Sequence, residues 1–411
     1  MPDIENTALS AFSAFGIELE YMIVGGQDLA VRPMAERLLV DTDGVIQNEV
    51  EHGEIAWSNE LVGHVVELKT NGPAASLHGL GDRFHRDIRV INSALEADGA
   101  RLLPTAMHPL FDPARETRLW PHGQNRIYKA YDRIFGCSGH GWSNLQSMHI
   151  NLPFANDQEF RRLHAAIRVV LPLIPALSAS SPLEQGQAAN WLNGRLRYYR
   201  DNQRKIPSIS GPVIPEPVTS ISDYHRSILA PMYRDIAPWD PDSELRGDWL
   251  NSRAAIARFE RQAIEIRIID LQECPASDLA IAELVVALVR AFYDQSLATF
   301  EQQQATSTER LAELLWTASR SADRALIDGD DLLRLYALTG ATSLGEFWQS
   351  KLAGLDGISE ASRGRLDAML KRGPLARAIL DRIGPAPNQT SIVDCYQELA
   401  ECLAEQRLFE H

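Results

Sequence analysis

Apolar and polar residues alternate with a period of two in four short stretches of the chain. In residues 15–22, Phe15, Ile17, Leu19 and Tyr21 take one side, and Gly16, Glu18, Glu20 and Met22 take the other. This is the pattern of a strand with one buried face. The same alternation recurs at 62–69, 145–152 and 262–269, and between these stretches 75–98 and 157–179 read as helices. The proline-rich segment 206–218 (IPSISGPVIPEPV) predicts an extended loop on the surface or over a cleft. Beyond about residue 276 the pattern is helical almost throughout. Strands early and helices late predict an α+β fold built on an antiparallel sheet.

Composition narrows the picture. The 411 residues, 45% hydrophobic and 23% charged, suit a globular protein of one large or two medium domains. A formal charge of −15 argues against a nucleic-acid partner, whose phosphates need a basic face. Cys137, Cys274, Cys395 and Cys402 form no CxxC pair and no zinc spacing, so they read as reduced thiols of a cytoplasmic protein. The opening MPDIENTALS has neither a basic n-region nor an apolar h-region. The most apolar stretches, 165–179 and 279–293, are interrupted by Arg168, Pro172 and Pro175 and by Glu283 and Arg290. They read as buried helices, so no membrane partner is expected.

The candidate chemistry lies on the polar side of the strands. Glu18 and Glu20 project together, roughly 6.6 Å apart on one strand face. Glu67 follows Glu60 by seven residues, His149 precedes Asn151 by two, and Glu265 and Arg267 alternate with Ile264, Ile266 and Ile268 before Asp270. One such strand would be an ordinary wet face. Four holding glutamate or histidine in equivalent places are different, because clustered carboxylates repel unless a cation neutralises them. Oxygen-rich sets with a single histidine suit Mg²⁺ shared with phosphate, whereas zinc would want more His or Cys. The chain has no GxxxxGK[ST], no GxGxxG and no GxSxG, so any nucleotide must be held by metal and arginine. A glycosidase would need only two carboxylates and would leave Glu60, His149 and Arg267 without a task.

In this order the segments resemble the glutamate–cysteine ligase type 2 family of carboxylate–amine ligases, in the glutamine synthetase superfamily. The likeness rests on GIELE at 16–20, Glu60 and Glu67 followed by Leu68 and Thr70, SMHI at 147–150, LSASSPLEQG at 177–186, Arg195, and IEIRIID at 264–270. It covers roughly residues 12–295. It implies a glutamine synthetase-like α+β domain over 12–300, with a curved, mostly antiparallel sheet, and a helical extension over 301–411 packed on it. It also implies that Glu18, Glu20, Glu60, Glu67, His149 and Glu265 hold two or three Mg²⁺ or Mn²⁺ ions. His149, Asn151 and Arg267 would meet ATP, and Glu67, Glu265 and Arg267 would be catalytic. Arg195, Arg253 and Thr70 would bind substrate.

The implied reaction activates the γ-carboxylate of glutamate with ATP as an acyl phosphate, which an amine such as cysteine then attacks. Two features depart from the family. Asn151 stands where relatives often carry a second histidine, and the bulky Trp191 lies between Gly186 and Arg195. Arg126 and Tyr128, in HGQNRIYKAYDRIFG, read as a helix face on the sheet or as substrate contacts. Two alternatives stay open: a catalytically weak regulatory homologue and a metal-dependent hydrolase. The superfamily's rings also leave a homo-oligomer open.

Overall fold

The computed structural model describes residues 8–410. At its centre is an eight-stranded sheet, antiparallel at every pairing. Its strands are β1 (Gly16–Gly25), β2 (Glu49–His52), β3 (Ile55–Asn59), β4 (Val65–Thr70), β5 (Ala100–Leu103), β6 (Ser147–Pro153), β7 (Ala255–Arg258) and β8 (Ala263–Asp270). They lie side by side as β2-β3-β4-β1-β6-β8-β7, while β5 pairs with the second half of β1. The main helices are α1 (Leu80–Glu96), α2 (Asn125–Phe135), α3 (Asp157–Val170), α4 (Gly194–Asp201) and α5 (Pro275–Tyr293). After them come α6 (Thr308–Ser321), α7 (Leu344–Gly354), α8 (Glu360–Arg372), α9 (Leu375–Ile383) and α10 (Gln389–Glu405). None of the described helices is long and apolar enough to cross a membrane.

One face of β1 builds the main core. Ile17, Leu19, Tyr21 and Ile23 lie in one apolar cluster with Phe84, Ile88, Ile91 and Leu95 of α1 and with most of α5. Along α1 those four residues recur at helical spacing, so one stripe is buried. By contrast, α5 is buried nearly all round, and Pro275 starts it at a position that needs no N–H donor. The same cluster runs on past residue 300 through Leu311, Leu315, Trp348 and Leu366. The Trp348 indole N–H donates to the Leu173 carbonyl at 2.9 Å, tying α7 to the end of the α3 layer.

The opposite face of β1 is also covered, although the alternation predicted a wet side. Beyond Glu18 and Glu20 that face continues with Met22 and Val24, which join Leu375, Ile379, Ile392 and Leu399 of α9 and α10 in a second apolar cluster. The 206–218 segment differs from its expectation in a similar way. Ile209, Val213, Ile214 and Val218 are buried, because four branched apolar side chains among the prolines can anchor a loop inward. Its Val213 carbonyl accepts the Ala254 N–H at 2.8 Å, so the loop props the chain leading into β7.

Candidate active site

Adjacent antiparallel strands bring matching positions opposite one another. Glu18 is opposite Lys69 on one side and His149 on the other; Glu20 is opposite Glu67, and Glu265 is opposite Asn151. His149 is the hub. Its Nδ1 lies 2.8 Å from Glu18 Oε2 and 3.7 Å from Glu265 Oε1. Its Nε2 lies 3.7 Å from Glu20 Oε1 and 2.9 Å from Ser147 Oγ. One ligand atom each from Glu18, His149 and Glu265 falls within 4.8 Å of the others, as does one each from Glu20, Glu67 and His149. These two triads share the imidazole and use five of the six residues that the sequence picked out for metal. Glu60, one residue past β3, stands outside both triads, but their carboxylates act on it.

Two local features of the chain make this arrangement. Gly16 is opposite Asn151, and a Cβ on Gly16 would stand only 2.9 Å from the Asn151 Cβ. The bare glycine therefore leaves room for Asn151, whose Nδ2 donates to Glu18 Oε1 at 3.1 Å. The second feature is a β-bulge in β8. Ile266 pairs with Ile150 but Ile269 pairs with Met148, so β8 carries one residue more than β6. Strict alternation would turn Asp270 into the core beside Ile266 and Ile268. The extra residue returns it to the side of Glu265 and Arg267, opposite Ser147.

The carboxylates are balanced by Arg267, which the sequence reading picked out, and by three cations that it did not. Lys69 Nζ is 3.3 Å from Glu67 Oε1 and 2.6 Å from Glu49 Oε2. Arg258 Nη1 is 2.8 Å from Glu265 Oε2, Arg261 Nη1 is 3.3 Å from Glu18 Oε1, and Arg267 Nε is 2.9 Å from Glu265 Oε1. Ser147 donates to Glu20 Oε2 through both its N–H (2.7 Å) and its hydroxyl (3.0 Å), and the Ser58 hydroxyl donates to Glu67 Oε1 at 2.7 Å. Lys69 was readable, two residues after Glu67 in the same alternation. Arg258 and Arg261 were not, because the β7–β8 hairpin brings them over the site.

The consequences for protonation differ from residue to residue. Burial works against the Glu18 carboxylate, but the hydrogen bond and charge of His149, with Arg261 and Lys69, hold it well below the usual range. Burial, then Glu20 and Glu67, push Glu60 well up. Burial and Glu18 raise Glu67 to about 7 against the pull of Lys69 and Ser58. Burial would depress His149, yet its hydrogen bond to Glu18 and the neighbouring carboxylates raise it. A shared, mutually repelling set of carboxylate oxygens around one imidazole is the donor chemistry of a hard divalent cation. The residues present fit such an ion.

Of the residues expected to bind substrate, Thr70 borders a cavity beside Glu18, whereas Arg195 and Arg253 are buried in ion pairs. Arg195 is buried, with Nε 2.7 Å from Asp270 Oδ1. Arg253 is buried against Glu216, with Nε 2.5 Å from Oε2. Neither reaches the cleft as a free cation, because each neutralises a nearby carboxylate instead. Thr70 falls on the opposite face from Lys69, where its hydroxyl accepts the Ile17 N–H at 3.3 Å. Arg126 is exposed and paired with Glu244, while the Tyr128 hydroxyl accepts from Asn59 Nδ2 at 2.9 Å. Beside Glu18 opens a cavity of about 460 Å³, bordered by Phe15, Lys69, Pro73, Asn151 and Arg261. The Asn151 Oδ1 is buried there without a partner among the described residues.

A family profile described as glutamate-cysteine ligase family 2 (GCS2) matches residues 14–372. The chain belongs to this family. Within the family's span lie all six proposed metal-site residues, while α9 and α10 follow it. The chain is 38% identical over 259 residues to an uncharacterized protein of Archaeoglobus fulgidus, covering 63% of this chain and 69% of that one. It is 27% identical over 189 residues to the "Putative glutamate--cysteine ligase 2-3" of Rubrobacter xylanophilus, covering 45% of this chain and 47% of that one. In fold it is similar to the glutamate–cysteine ligase of Francisella tularensis in complex with AMP, with a TM-score of 0.60 at 11% identity over 98% of this chain and 91% of that one. It is also similar to a bifunctional glutathione synthetase from Pasteurella multocida, with a TM-score of 0.53 at 15% identity over 95% of this chain and 52% of that one. The expected fold is thus borne out, and membership of GCS2 supports a carboxylate–amine ligase.

Proposed function

We propose that this GCS2 member is an ATP-dependent ligase that joins the γ-carboxylate of glutamate to an amine, with cysteine the first candidate, through an acyl phosphate. The observation that carries the reading is the pair of triads sharing His149, with Arg267 beside Glu265 on the same sheet face. Glu18, His149 and Glu265 would hold one divalent ion, and Glu20 and Glu67, with Glu60 adjacent, another. Mg²⁺ or Mn²⁺ bound there supplies neutralisation of the phosphoryl oxygens and of the incoming carboxylate.

The chain's own residues provide orientation and charge. Lys69, Arg261 and Asn151 border the cavity beside Glu18, which is large enough for part of a nucleotide. The unpartnered Asn151 Oδ1 is an acceptor for a ligand hydroxyl or amine. Arg267 and Arg258 converge on Glu265, where their guanidinium donors suit phosphate oxygens. Phosphoryl transfer depends mainly on such positioning and electrostatics, so no nucleophilic Ser or Cys is required. Burial raises the Cys137 and Cys274 thiols, which suits structural positions and not nucleophiles.

The test is an assay with glutamate, Mg²⁺, ATP and a panel of amines, read by mass spectrometry. ADP, phosphate and one new amide are expected. AMP and pyrophosphate would rule out the acyl-phosphate route, and product formed without ATP would point to a hydrolase.

A further inference from the structure

Arg195 sits behind the cleft in a web of contacts that all lead to Arg267. It is fully buried at the start of α4, with Nε on Asp270 Oδ1 at 2.7 Å. Its two terminal nitrogens, Nη1 and Nη2, donate to the Arg267 carbonyl at 3.4 and 3.3 Å. Asp270 is fixed in turn by the Ser181 hydroxyl at 2.7 Å and the Ser180 N–H at 3.1 Å. The Ser181 hydroxyl also accepts the Arg195 N–H at 3.1 Å. This approach depends on Gly194, where a Cβ would stand 2.6 Å from the Ser181 carbonyl oxygen.

Arg267 lies in the bulge of β8 and Asp270 just past it, where the ladder to β6 is broken. Unsupported, a bulge is the part of a strand freest to change its twist. Here the fork of Arg195 spans it, taking the carbonyl at one end and the carboxylate at the other. From the opposite side, the Arg267 N–H donates to the Ala254 carbonyl at 2.9 Å and Nη1 to the Asn251 carbonyl at 3.3 Å. One turn along α4 from Arg195, the Tyr199 hydroxyl donates to the Arg253 carbonyl at 3.0 Å. The helix thus braces both the bulge and the segment that receives Arg267.

We infer that Arg195 is a positioning residue: it clamps the β8 bulge through the Arg267 carbonyl and Asp270, and so sets the direction in which Arg267 meets nucleotide phosphate. This rests on the ligase reading of the cleft, and it replaces the direct substrate contact that the family resemblance suggested for Arg195.

The experiment measures the affinity of the full chain for Mg·ATPγS by calorimetry, with thermal unfolding as the control for folding. Arg195→Lys keeps a cation for Asp270 but lacks the fork for the carbonyl. It should weaken binding about tenfold with little change in melting temperature. Asp270→Asn, which keeps the shape of the anchor and removes its charge, should weaken binding to a similar extent, with a lower melting temperature because the Arg195 guanidinium loses its buried counter-charge, so its affinity is read well below that temperature. Arg267→Gln should weaken binding at least as much, and the double variant with Arg195→Lys should be no weaker than Arg267→Gln alone. Losses that multiply in the double variant would overturn the proposal, because Arg195 would then act independently of Arg267. Unchanged nucleotide affinity in Arg195→Lys with a raised KM for the donor acid would also overturn it, in favour of a substrate contact. Failure of the unaltered chain to bind Mg·ATPγS would refute the nucleotide site itself, a distinct result.

Discussion

Glu60 shows how a charge beside the proposed metal site can weigh on a fold. Its carboxyl is pushed up by burial and by Glu20 and Glu67. A carboxyl raised in the native state destabilises the fold as pH rises above its unfolded value, because the native protein must give up a proton that it holds more tightly. Glu60→Gln should therefore stabilise the metal-free protein at pH 8. It should also reduce the stabilisation gained on adding Mg²⁺. Urea unfolding in EDTA and in Mg²⁺ measures both, and equal stability of the two proteins in EDTA would contradict the prediction. Glu20→Ala and Glu265→Ala should each lower turnover by roughly 10²–10³-fold or more, while a near-normal rate of ADP release would contradict the site assignment. The glutamates and His149 were legible because strand alternation places like residues on one face. The fates of Arg195 and Arg253 were not, since their partners Asp270 and Glu216 are 75 and 37 residues distant and no local period connects them.

At the scale of elements, the site depends on departures from regular strand geometry. Replacing Gly16 with alanine would set a Cβ 2.9 Å from the Asn151 Cβ. The expected cost is about 1–3 kcal/mol of stability, as for other overpacked sites, together with loss of the Asn151–Glu18 hydrogen bond. Urea unfolding and the KM for ATP would register the two effects separately. The strands themselves were readable: the segments at 15–24, 62–69, 145–152 and 262–269 overlap β1, β4, β6 and β8. The bulge was not, because IEIRIID alternates well until its last two residues, and only pairing with β6 shows that Arg267 and Ile268 share one partner position. The burial of 206–218 was missed for a related reason: proline content reports backbone shape, not which side chains turn inward.

For the molecule as a whole, histidines away from the cleft govern its response to acid. His64 and His108 are depressed to about 4, and His164 to about 3, chiefly by burial. Each stays neutral in the fold but takes a proton near pH 6.5 when unfolded, so stability falls as pH drops below that value. His164 is the cleanest probe, because neither of its ring nitrogens has a partner among the described residues. Between pH 7 and pH 5 the protein should lose about 2 kcal/mol more than a His164→Leu variant. Parallel urea curves at the two pH values would show it, and equal losses would contradict the assignment. The covering of the Met22–Val24 face by α9 and α10 bears on a different moment in the protein's life. Gln397 Nε2 donates to the Gln27 carbonyl at 2.8 Å across 370 residues of chain. On the ribosome, the first strand of the central sheet is made before α9 and α10, and its apolar end stays uncovered until residues 375–409 emerge. Contacts of such long range form late and leave nascent intermediates open to aggregation. Residues 375–409 thus complete the wall begun with the first strand.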